Sequence, residues 1–327
     1  MSRIFITGAT GYIGRALALT LKQQGHHVVA LVRDSSPSET VAELEQAGVV
    51  TSKGDVTDRY SLRPGMSGAD WVVHAAALVD MDGAPEAMKR VNVDGSDNVA
   101  SLACKLGVGR FLSVSSMAYW GGSPPDGSPA DEEAPVQPFP SPYSATKHSG
   151  ELAIRQWAKQ GLKVNTVFPG LVYGPPGKRS GTNALLRMVL TGRMPFLVGG
   201  DRKMSWVYVD DVVQGIVRVM ERSPPGRGYL LAGEVATLGE VVRKVAALAG
   251  TKPPRFSLPV PVAKGLLRLW SAAGSVVGRR PPTEPERLQS LERHWAFDDR
   301  RARTELDWHP RGLDEGLPPT VETLTRP

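Results

Sequence analysis

The sequence predicts an α/β protein with an open, doubly wound parallel sheet and a smaller, mostly helical C-terminal lobe. Three observations predict this fold. Short apolar runs alternate with longer amphipathic stretches through the first half, a glycine-rich turn follows the first run, and proline clusters break up the second half. Continuous apolar strands that alternate with helices are typical of parallel sheets covered on both faces.

The strands of the first half are predicted where short, mainly apolar runs occur: Arg3–Thr7, His27–Val32, Val49–Lys53, Asp70–His74, Arg110–Ser115 and Lys163–Phe168. Helices are predicted between them where apolar residues recur at helical spacing, for example Tyr12–Gln24, Glu86–Leu106 and Tyr143–Gln160. Ligand sites of such sheets lie at the carboxyl ends of the strands. We therefore expect binding residues along that edge.

The composition is that of an ordinary globular protein, with 41% hydrophobic and 22% charged residues in 327. Cys104 is the single cysteine, which excludes an intramolecular disulfide and a cysteine-rich zinc site, and the histidines show no metal-ligand spacing. No signal-peptide pattern and no uncharged apolar stretch of membrane-spanning length is present. The sequence therefore predicts a soluble, cytoplasmic protein without a metal site.

The net charge of +6 is concentrated near the end of the chain, where Arg255–Arg303 holds ten Lys/Arg and five Asp/Glu. No nucleic-acid motif accompanies this basic segment, and aromatic residues make up only 6% of the chain. We expect no nucleic-acid partner. The segment is either a solvated basic face or a contact for an anionic surface or substrate.

The first predicted strand runs directly into Thr7-Gly8-Ala9-Thr10-Gly11-Tyr12-Ile13-Gly14 and then a helix. The three glycines permit a tight turn, a close backbone approach to a pyrophosphate and close packing of helix on strand. Amides at the helix start, aided by the helix dipole, bind phosphate. The candidate dinucleotide-binding residues are therefore Gly8, Thr10, Gly11, Tyr12 and Ile13. We predict a dinucleotide-binding domain over residues 1–169 and a substrate-binding lobe over 170–327, some of whose segments could return to the sheet.

The end of the second predicted strand indicates which dinucleotide is bound. Val32 stands where an acid would hold the adenosine ribose, and Arg33 follows it. A carboxylate there would repel a 2′-phosphate, whereas a guanidinium binds one bidentately. Arg33 therefore favours NADP(H) without excluding NAD(H). Asp34 either turns back toward the ribose or pairs with Arg33.

Ser116, Tyr143 and Lys147 are the candidate catalytic residues. Tyr143 and Lys147 lie four residues apart in a predicted helix and so share one face, and Ser116 follows the fifth predicted strand. A phenol is a weak acid at neutral pH, and a nearby ammonium is expected to lower its pKa. Ser116 could donate a second hydrogen bond to the same substrate oxygen. This set suits proton transfer to or from a carbonyl or carbinol oxygen.

With these motifs the chain resembles the extended short-chain dehydrogenase/reductase superfamily, also described as the NAD(P)-dependent epimerase/dehydratase family. The resemblance also rests on segments that span most of the chain: Gly54–Val56, His74–Ala77, Asn92–Gly95, Pro169–Pro175, Trp206–Val212, Phe297–Asp298 and Arg301–Leu306. It implies a Rossmann-type fold and an enzyme that acts on a small molecule, with a homodimer possible.

The same resemblance assigns further residues to the dinucleotide. It implies that Asp55 and Val56 flank the adenine and that Ala75 and Ala76 line the binding groove. It also implies that Lys147 bonds the nicotinamide ribose and that the Pro169–Val172 backbone holds the carboxamide, with Tyr143 as the acid/base. Two departures, Phe168 and Trp206, stand on what the family pattern implies is the substrate side. They argue against a sugar nucleotide as the substrate.

The residues after Ser116 help to choose a reaction. Met117 and Ala118 cannot move a proton, so a sugar dehydratase, which needs an Asp-Glu pair there, is not expected. Net oxidoreduction of a ketone/alcohol pair fits best.

The stretch Ser257–Trp295 resembles hydroxysteroid dehydrogenase-like and dihydroflavonol reductase-like ketoreductases. Its apolar part, Pro259–Trp270, is predicted to cover an apolar substrate or pack on the lobe. The alternatives are an NAD-dependent sugar-nucleotide epimerase and a non-catalytic dinucleotide-sensing protein.

Overall fold

The computed structural model describes residues 1–79, 85–175, 180–192, 194, 196–277 and 285–325. Parts of the proline clusters Pro175–Gly177 and Pro281–Pro285 lie outside these residues. The strands, in chain order, are β1 Arg3–Thr7, β2 His27–Val32, β3 Val50–Lys53, β4 Trp71–His74, β5 Arg110–Val114, β6 Val164–Pro169, β7 Leu171–Tyr173, β8 Leu197–Val198, β9 Lys203–Tyr208, β10 Gly228–Leu231, β11 Glu234–Thr237 and β12 Ser257–Leu258.

The helices, in chain order, are α1 Tyr12–Gln23, α2 Ser38–Gln46, α3 Arg63–Met66, α4 Pro85–Lys89, α5 Gly95–Lys105, α6 Pro142–Ala158, α7 Gly181–Leu190, α8 Val209–Arg222, α9 Leu238–Leu248, α10 Val260–Val277, α11 Arg300–Leu306 and α12 Leu313–Thr325. Short 3-10 helices cover Arg59–Leu62, Met117–Trp120 and Pro285–Glu292. Among the described helices, none is both long and apolar enough to cross a membrane.

Seven strands form the central sheet in the order β10-β6-β5-β4-β1-β2-β3, and every pair in it is parallel. One apolar core joins this sheet to α1, α8 and α11, and a second joins it to α3, α5 and α6. Helices therefore cover both faces of the sheet. The predicted doubly wound, Rossmann-type fold is confirmed.

The C-terminal lobe has its own small sheets and its own core. Strands β11, β9 and β7 form one sheet, and β12 pairs with β8. Helices α7, α9 and α12 pack there around buried side chains such as Leu186, Val245 and Leu317. Strand β10 and helix α8 come after residue 170 in the chain but pack with the central sheet. The predicted division at residues 169 and 170 stays a prediction.

The predicted helical stretch Glu86–Leu106 is helical in the structure, but it is not regular along its whole length. The structure has α4, then a π-helical turn over Arg90–Asp94, then α5. Within the turn, the Asn92 side chain accepts a hydrogen bond from the Leu78 amide (2.7 Å) and donates one to the Leu78 carbonyl (3.0 Å). It also donates to the Thr146 hydroxyl at 3.1 Å. These bonds from Asn92 to distant residues hold the chain in the wider π-helical turn. The spacing of apolar residues in the sequence does not reveal such a turn.

Candidate active site

The glycine turn packs against the end of β4 so closely that only glycine fits. Gly8 has a φ of 73°, and a Cβ atom there would lie 2.6 Å from the backbone of Ala75 and Ala76. A Cβ atom at Gly14 would lie 2.2 Å from the Gly8 carbonyl oxygen. These contacts bring the start of α1 to the carboxyl edge of the sheet.

The start of α1 has backbone donors suited to an anion. Gly11 precedes the helix and offers no side-chain cap, and the first turn contains no acidic residue. The Gly11 amide donates to the Gly8 carbonyl (2.9 Å), whereas first-turn amides such as those of Tyr12 and Ile13 have no acceptor within an α-helix. Thr10 lies beside them in the turn. This donor set fits the pyrophosphate of a dinucleotide.

Tyr12 also connects the glycine turn to the lobe, because its hydroxyl donates to the Gly174 carbonyl beyond β7. The Asn183 side chain donates to the same carbonyl at 2.8 Å. The turn predicted to bind phosphate therefore has a direct polar contact with the segment that leads into α7.

At the end of β2, Val32 is buried while Arg33 and Asp34 are exposed. Asp34 forms an ion pair with Lys53 (2.9 Å), so its carboxylate pairs with Lys53 rather than with Arg33. Within the part of the chain that the structure describes, Arg33 forms no ion pair, and its amide donates to the Ser36 hydroxyl (2.9 Å). The edge of the sheet thus carries an exposed guanidinium beside the end of β2.

The residues assigned to the adenine and the groove follow β3 and β4. The Asp55 carboxylate accepts hydrogen bonds from the amide and the hydroxyl of Thr57, both at 2.8 Å, and Val56 is buried. The Ala75 amide donates to the Thr7 carbonyl (3.1 Å). The Ala76 amide donates to the Thr7 hydroxyl (3.3 Å). Since β4, β1, β2 and β3 are neighbours, these residues share one edge with the glycine turn and Arg33.

The three candidate catalytic residues meet beyond the end of β5. Ser116 has an extended backbone and caps the Met117–Trp120 turn by accepting from the Ala118 amide at 3.1 Å. Ser141 caps α6, so Tyr143 lies in the first turn and Lys147 one turn later. The Ser116 hydroxyl lies close enough to the Tyr143 phenol to lower the pKa of that phenol. The Lys147 ammonium donates to the Val114 carbonyl (3.2 Å).

Burial dominates the titration of this group. It raises the pKa of Tyr143, and the hydrogen bond to Ser116 opposes that rise. It lowers the pKa of Lys147 to about 8, and the negative charge of Glu151 opposes that fall. The expectation that Lys147 lowers the phenol pKa is wrong for the protein chain by itself. The reason is that the Lys147 ammonium is bonded to a backbone carbonyl instead of the phenol.

Glu151 is a buried carboxylate that the sequence analysis missed. It accepts hydrogen bonds from the hydroxyls of Ser113 (3.0 Å) and Thr166 (2.7 Å), on β5 and β6. It follows Lys147 by four residues, as Lys147 follows Tyr143. That continued spacing was the available signal, since all three side chains share one face of α6. The carboxylate fixes this face of the helix to the sheet.

His74 and Ser115 were also missed as polar groups beside the site. His74 is buried between the hydroxyls of Thr7 (2.8 Å) and Ser96 (3.0 Å). The Ser115 hydroxyl is buried and has no hydrogen-bond partner within the described ranges. A buried, unpaired donor directly before Ser116 is a second observation that fits a polar ligand at this edge.

The backbone assigned to the carboxamide begins at Pro169, the last residue of β6, and includes Val172 in β7.

Phe168 and Trp206 are only 2% and 1% exposed, and both belong to the apolar core of the lobe. Their place on the substrate side stays a prediction. In the described part of the chain, no three His, Cys, Asp or Glu side chains cluster to hold a metal ion.

Two known proteins that resemble this chain over nearly its whole length are named for different reactions. A 4-hydroxy-2-methyl-3-oxo-4-farnesyl-3,4-dihydroquinoline-1-oxide ketoreductase from Stigmatella aurantiaca is 30% identical, over 95% of this chain and 95% of the relative. A UDP-glucose 4-epimerase from Mycolicibacterium smegmatis is also 30% identical, over 98% of this chain and 97% of the relative.

A solved structure shares the fold, and a family model matches the part of the chain that contains the candidate site residues. The crystal structure of gox2253 has a TM-score of 0.86 with this chain at 29% identity, covering 99% of this chain and 98% of the other. The model of the NAD dependent epimerase/dehydratase family matches residues 4–232, which include the glycine turn, Ser116, Tyr143 and Lys147. The chain therefore belongs to the NAD dependent epimerase/dehydratase family and is an enzyme of the NAD(P)-dependent dehydrogenase/reductase type.

Proposed function

We propose that the protein interconverts a ketone and a secondary alcohol on a bulky, largely apolar small molecule, with NADP(H) preferred over NAD(H). The observation that carries the proposal is that the Ser116 hydroxyl lies beside the Tyr143 phenol, with Lys147 one helical turn away. A phenol and a hydroxyl that can bond one substrate oxygen suit carbonyl chemistry.

The chain's own groups handle the proton in this reaction. A nicotinamide dinucleotide bound at the glycine turn supplies or accepts the hydride. In the direction of reduction, the Tyr143 hydroxyl gives its proton to the ketone oxygen, and the Ser116 hydroxyl donates a hydrogen bond to that oxygen. Lys147, whose ammonium bonds the Val114 carbonyl in the chain by itself, turns toward the phenol in this proposal and stabilises the phenolate left behind. In the reverse direction the phenolate takes the proton of the alcohol.

The test of this role is Tyr143→Phe, which keeps the ring and removes the transferable proton. We expect turnover to fall about 10²–10⁴-fold while the dissociation constant for the dinucleotide changes little. Lys147→Met should lose activity and also weaken dinucleotide binding, because Lys147 is assigned two partners. Tyr229→Phe is the control, since it removes a buried phenol hydroxyl on β10 that bonds Ser223 and Glu305 instead. More than about a tenth of the rate left in Tyr143→Phe would assign the proton to another group.

Arg33 supports the preference for NADP(H). Its exposed guanidinium follows β2, and Val32 offers no carboxylate to repel a phosphate. We expect Arg33→Ala to weaken NADPH binding by about 1.5–3 kcal/mol and to leave NADH binding nearly unchanged. Dissociation constants for both cofactors check this, with Arg243→Ala on α9 as a matched surface control. Tighter NADH binding by the wild type would overturn the preference.

An apolar substrate is supported by the ketoreductase relative, whose printed name describes a farnesylated quinoline compound. The segment Pro259–Trp270 was predicted to cover that substrate, and its side chains Leu266 and Trp270 are 54% and 50% exposed. Substrate contact by this segment stays a prediction, as does the homodimer. A panel of ketones, comprising a steroid, a flavonoid, a quinolone-like compound and a β-keto acid, tests the class with both cofactors.

A sugar-nucleotide epimerase is the second candidate, favoured by the epimerase relative. An epimerase returns its hydride to the same sugar and needs no net oxidant. Conversion of UDP-glucose to UDP-galactose without added cofactor, together with no turnover of any ketone in the panel, would favour this candidate over the reductase.

A further inference from the structure

Helix α10 carries apolar side chains on two faces, and only one of these two faces is buried. Val260 and Ala263 are 1% and 5% exposed, toward the lobe. A second set lies 49–69% exposed: Val262, Leu266, Leu269 and Trp270. At about 100° per residue these four fall within an arc of roughly 100° on the helix surface. They form one continuous outward stripe.

A pair of exposed aromatic rings extends this apolar surface. Phe196 and Phe256 are 41% and 55% exposed, and their rings stack with centroids 6.1 Å apart. Phe256 precedes Val260 by four residues, which span at most about 14 Å of chain. The stripe and the two rings, six large apolar side chains in all, are called the α10 surface below. Exposed apolar patches of this kind mark interaction sites.

The part of the chain around α10 is rich in basic residues. Residues 241–277 contain six Lys/Arg and no Asp/Glu. Of these, Lys264 pairs with Glu292 and Lys244 with Asp314. In the described part of the chain, Lys252, Arg255 and Arg268 are exposed and form no ion pair. The α10 surface is therefore flanked along the chain by three exposed basic side chains that have no ion-pair partner among the described residues.

We propose that the α10 surface docks on an anionic lipid bilayer, with α10 lying in the plane of the headgroups. The apolar stripe enters the headgroup–acyl boundary, and Lys252, Arg255 and Arg268 contact lipid phosphates. A second copy of the chain fits less well, because a two-fold contact would bring identical basic groups together. This proposal does not depend on the chemistry at Tyr143.

The experiment is flotation of the full-length protein with vesicles of phosphatidylcholine alone or mixed with phosphatidylglycerol. We expect binding to the mixed vesicles, little binding to phosphatidylcholine alone, and weaker binding as salt rises. Leu269→Ser with Trp270→Ser should lower the partition coefficient about tenfold or more. Arg255→Glu with Arg268→Glu should reduce binding to the mixed vesicles to the level seen with phosphatidylcholine.

The control is Val50→Ser on β3, an apolar side chain of similar exposure (47%) outside the α10 surface. It should bind vesicles as the wild type does, and melting temperatures should be alike for all variants because the altered side chains are exposed. Three outcomes would overturn the proposal. They are no vesicle binding by the wild type, equal binding by Leu269→Ser with Trp270→Ser, and a dimer in solution that this double variant dissociates.

Discussion

At the scale of single residues, the electrostatics of Lys147 depend on Glu151. Burial pulls the pKa of Lys147 down to about 8, and the Glu151 carboxylate, one turn away, is the group that resists this fall. Since the hydroxyls of Ser113 and Thr166 hold that carboxylate in place, Glu151 acts on the site through Lys147. Glu151 is in this sense a positioning residue.

We predict that Glu151→Gln makes the enzyme lose activity at lower pH. Without the negative charge, the Lys147 ammonium deprotonates more easily, so the alkaline limb of kcat/KM should move down by on the order of one pH unit. The amide keeps the shape of the side chain, which limits the structural damage. A pH profile that keeps its position while the melting temperature falls would show that Glu151 only supports the fold.

The burial of His74 leads to a second prediction, which concerns the free energy of unfolding at acid pH. Burial lowers its pKa to about 3, and the charge of Lys147 acts in the same direction. In the unfolded chain His74 protonates near pH 6.5, whereas in the folded protein it stays neutral, so the unfolded state binds more protons below that pH. The free energy of unfolding should therefore fall as pH drops from about 6.5 toward 3, by about 2 kcal/mol by pH 5.

The His74 effect can be measured by urea unfolding of wild type and His74→Asn. The variant is expected to be less stable at neutral pH, because the hydroxyls of Thr7 and Ser96 lose their imidazole partner. It should also lose less stability than wild type on going from about pH 7 to pH 5. An identical loss in both proteins would assign the acid sensitivity to other groups.

At the scale of elements, α6 approaches the π-helical turn so closely that a methyl group does not fit between them. A Cβ atom at Gly150 would lie 2.1 Å from the Asn92 carbonyl oxygen. We predict that Gly150→Ala lowers the free energy of unfolding by about 1–3 kcal/mol, since the backbone must move to accept the methyl group.

Gly265 in α10 offers a matched control for Gly150. It is also helical, but a Cβ atom there meets nothing within 4 Å among the residues that the structure describes. Gly265→Ala is therefore expected to be neutral or to stabilise by up to about 1 kcal/mol through helix propensity. Chemical denaturation of both variants tests the contact, and equal effects would mean that the close approach at Gly150 costs nothing.

The sequence predicts those elements best whose signal is local. Strands β1 and β2 begin and end where their apolar runs do, and the spacing of Tyr143 and Lys147 identified α6. The π-helical turn was missed because it depends on Asn92 reaching the Leu78 backbone. Glu151 was missed because a carboxylate in a helix usually faces water. Its spacing places it on the face of α6 that carries Tyr143 and Lys147, and the bonds to β5 and β6 show that it is buried there.

At the scale of the whole molecule, the central sheet is completed from the second half of the chain. Strand β10 pairs with β6, and helix α8 packs in the same core as α1. Pairing between segments so far apart in sequence gives no local signal, so the sequence alone leaves open whether later segments return to the sheet. The first half of the chain therefore does not contain all strands of the central sheet.

We predict that a fragment of residues 1–169 does not fold cooperatively. It lacks β10 and α8, so β6 and part of the α1 core would be exposed to water. Circular dichroism during urea titration should show a broad, shallow transition for the fragment and a sharp one for the full chain. A sharp transition in the fragment would show that β10 and α8 are dispensable for folding of the sheet.

The late arrival of β10 also affects the order of events on the ribosome. Strand β6 ends at Pro169 and β10 ends at Leu231, so the ribosome adds 62 residues between the two. At about 5–20 residues per second, the nascent chain waits roughly 3–12 seconds with the outer edge of β6 unpaired. All six residues of β6 are buried in the finished protein. During translation this strand is an apolar edge open to other chains, and it is where a holding chaperone would have to bind.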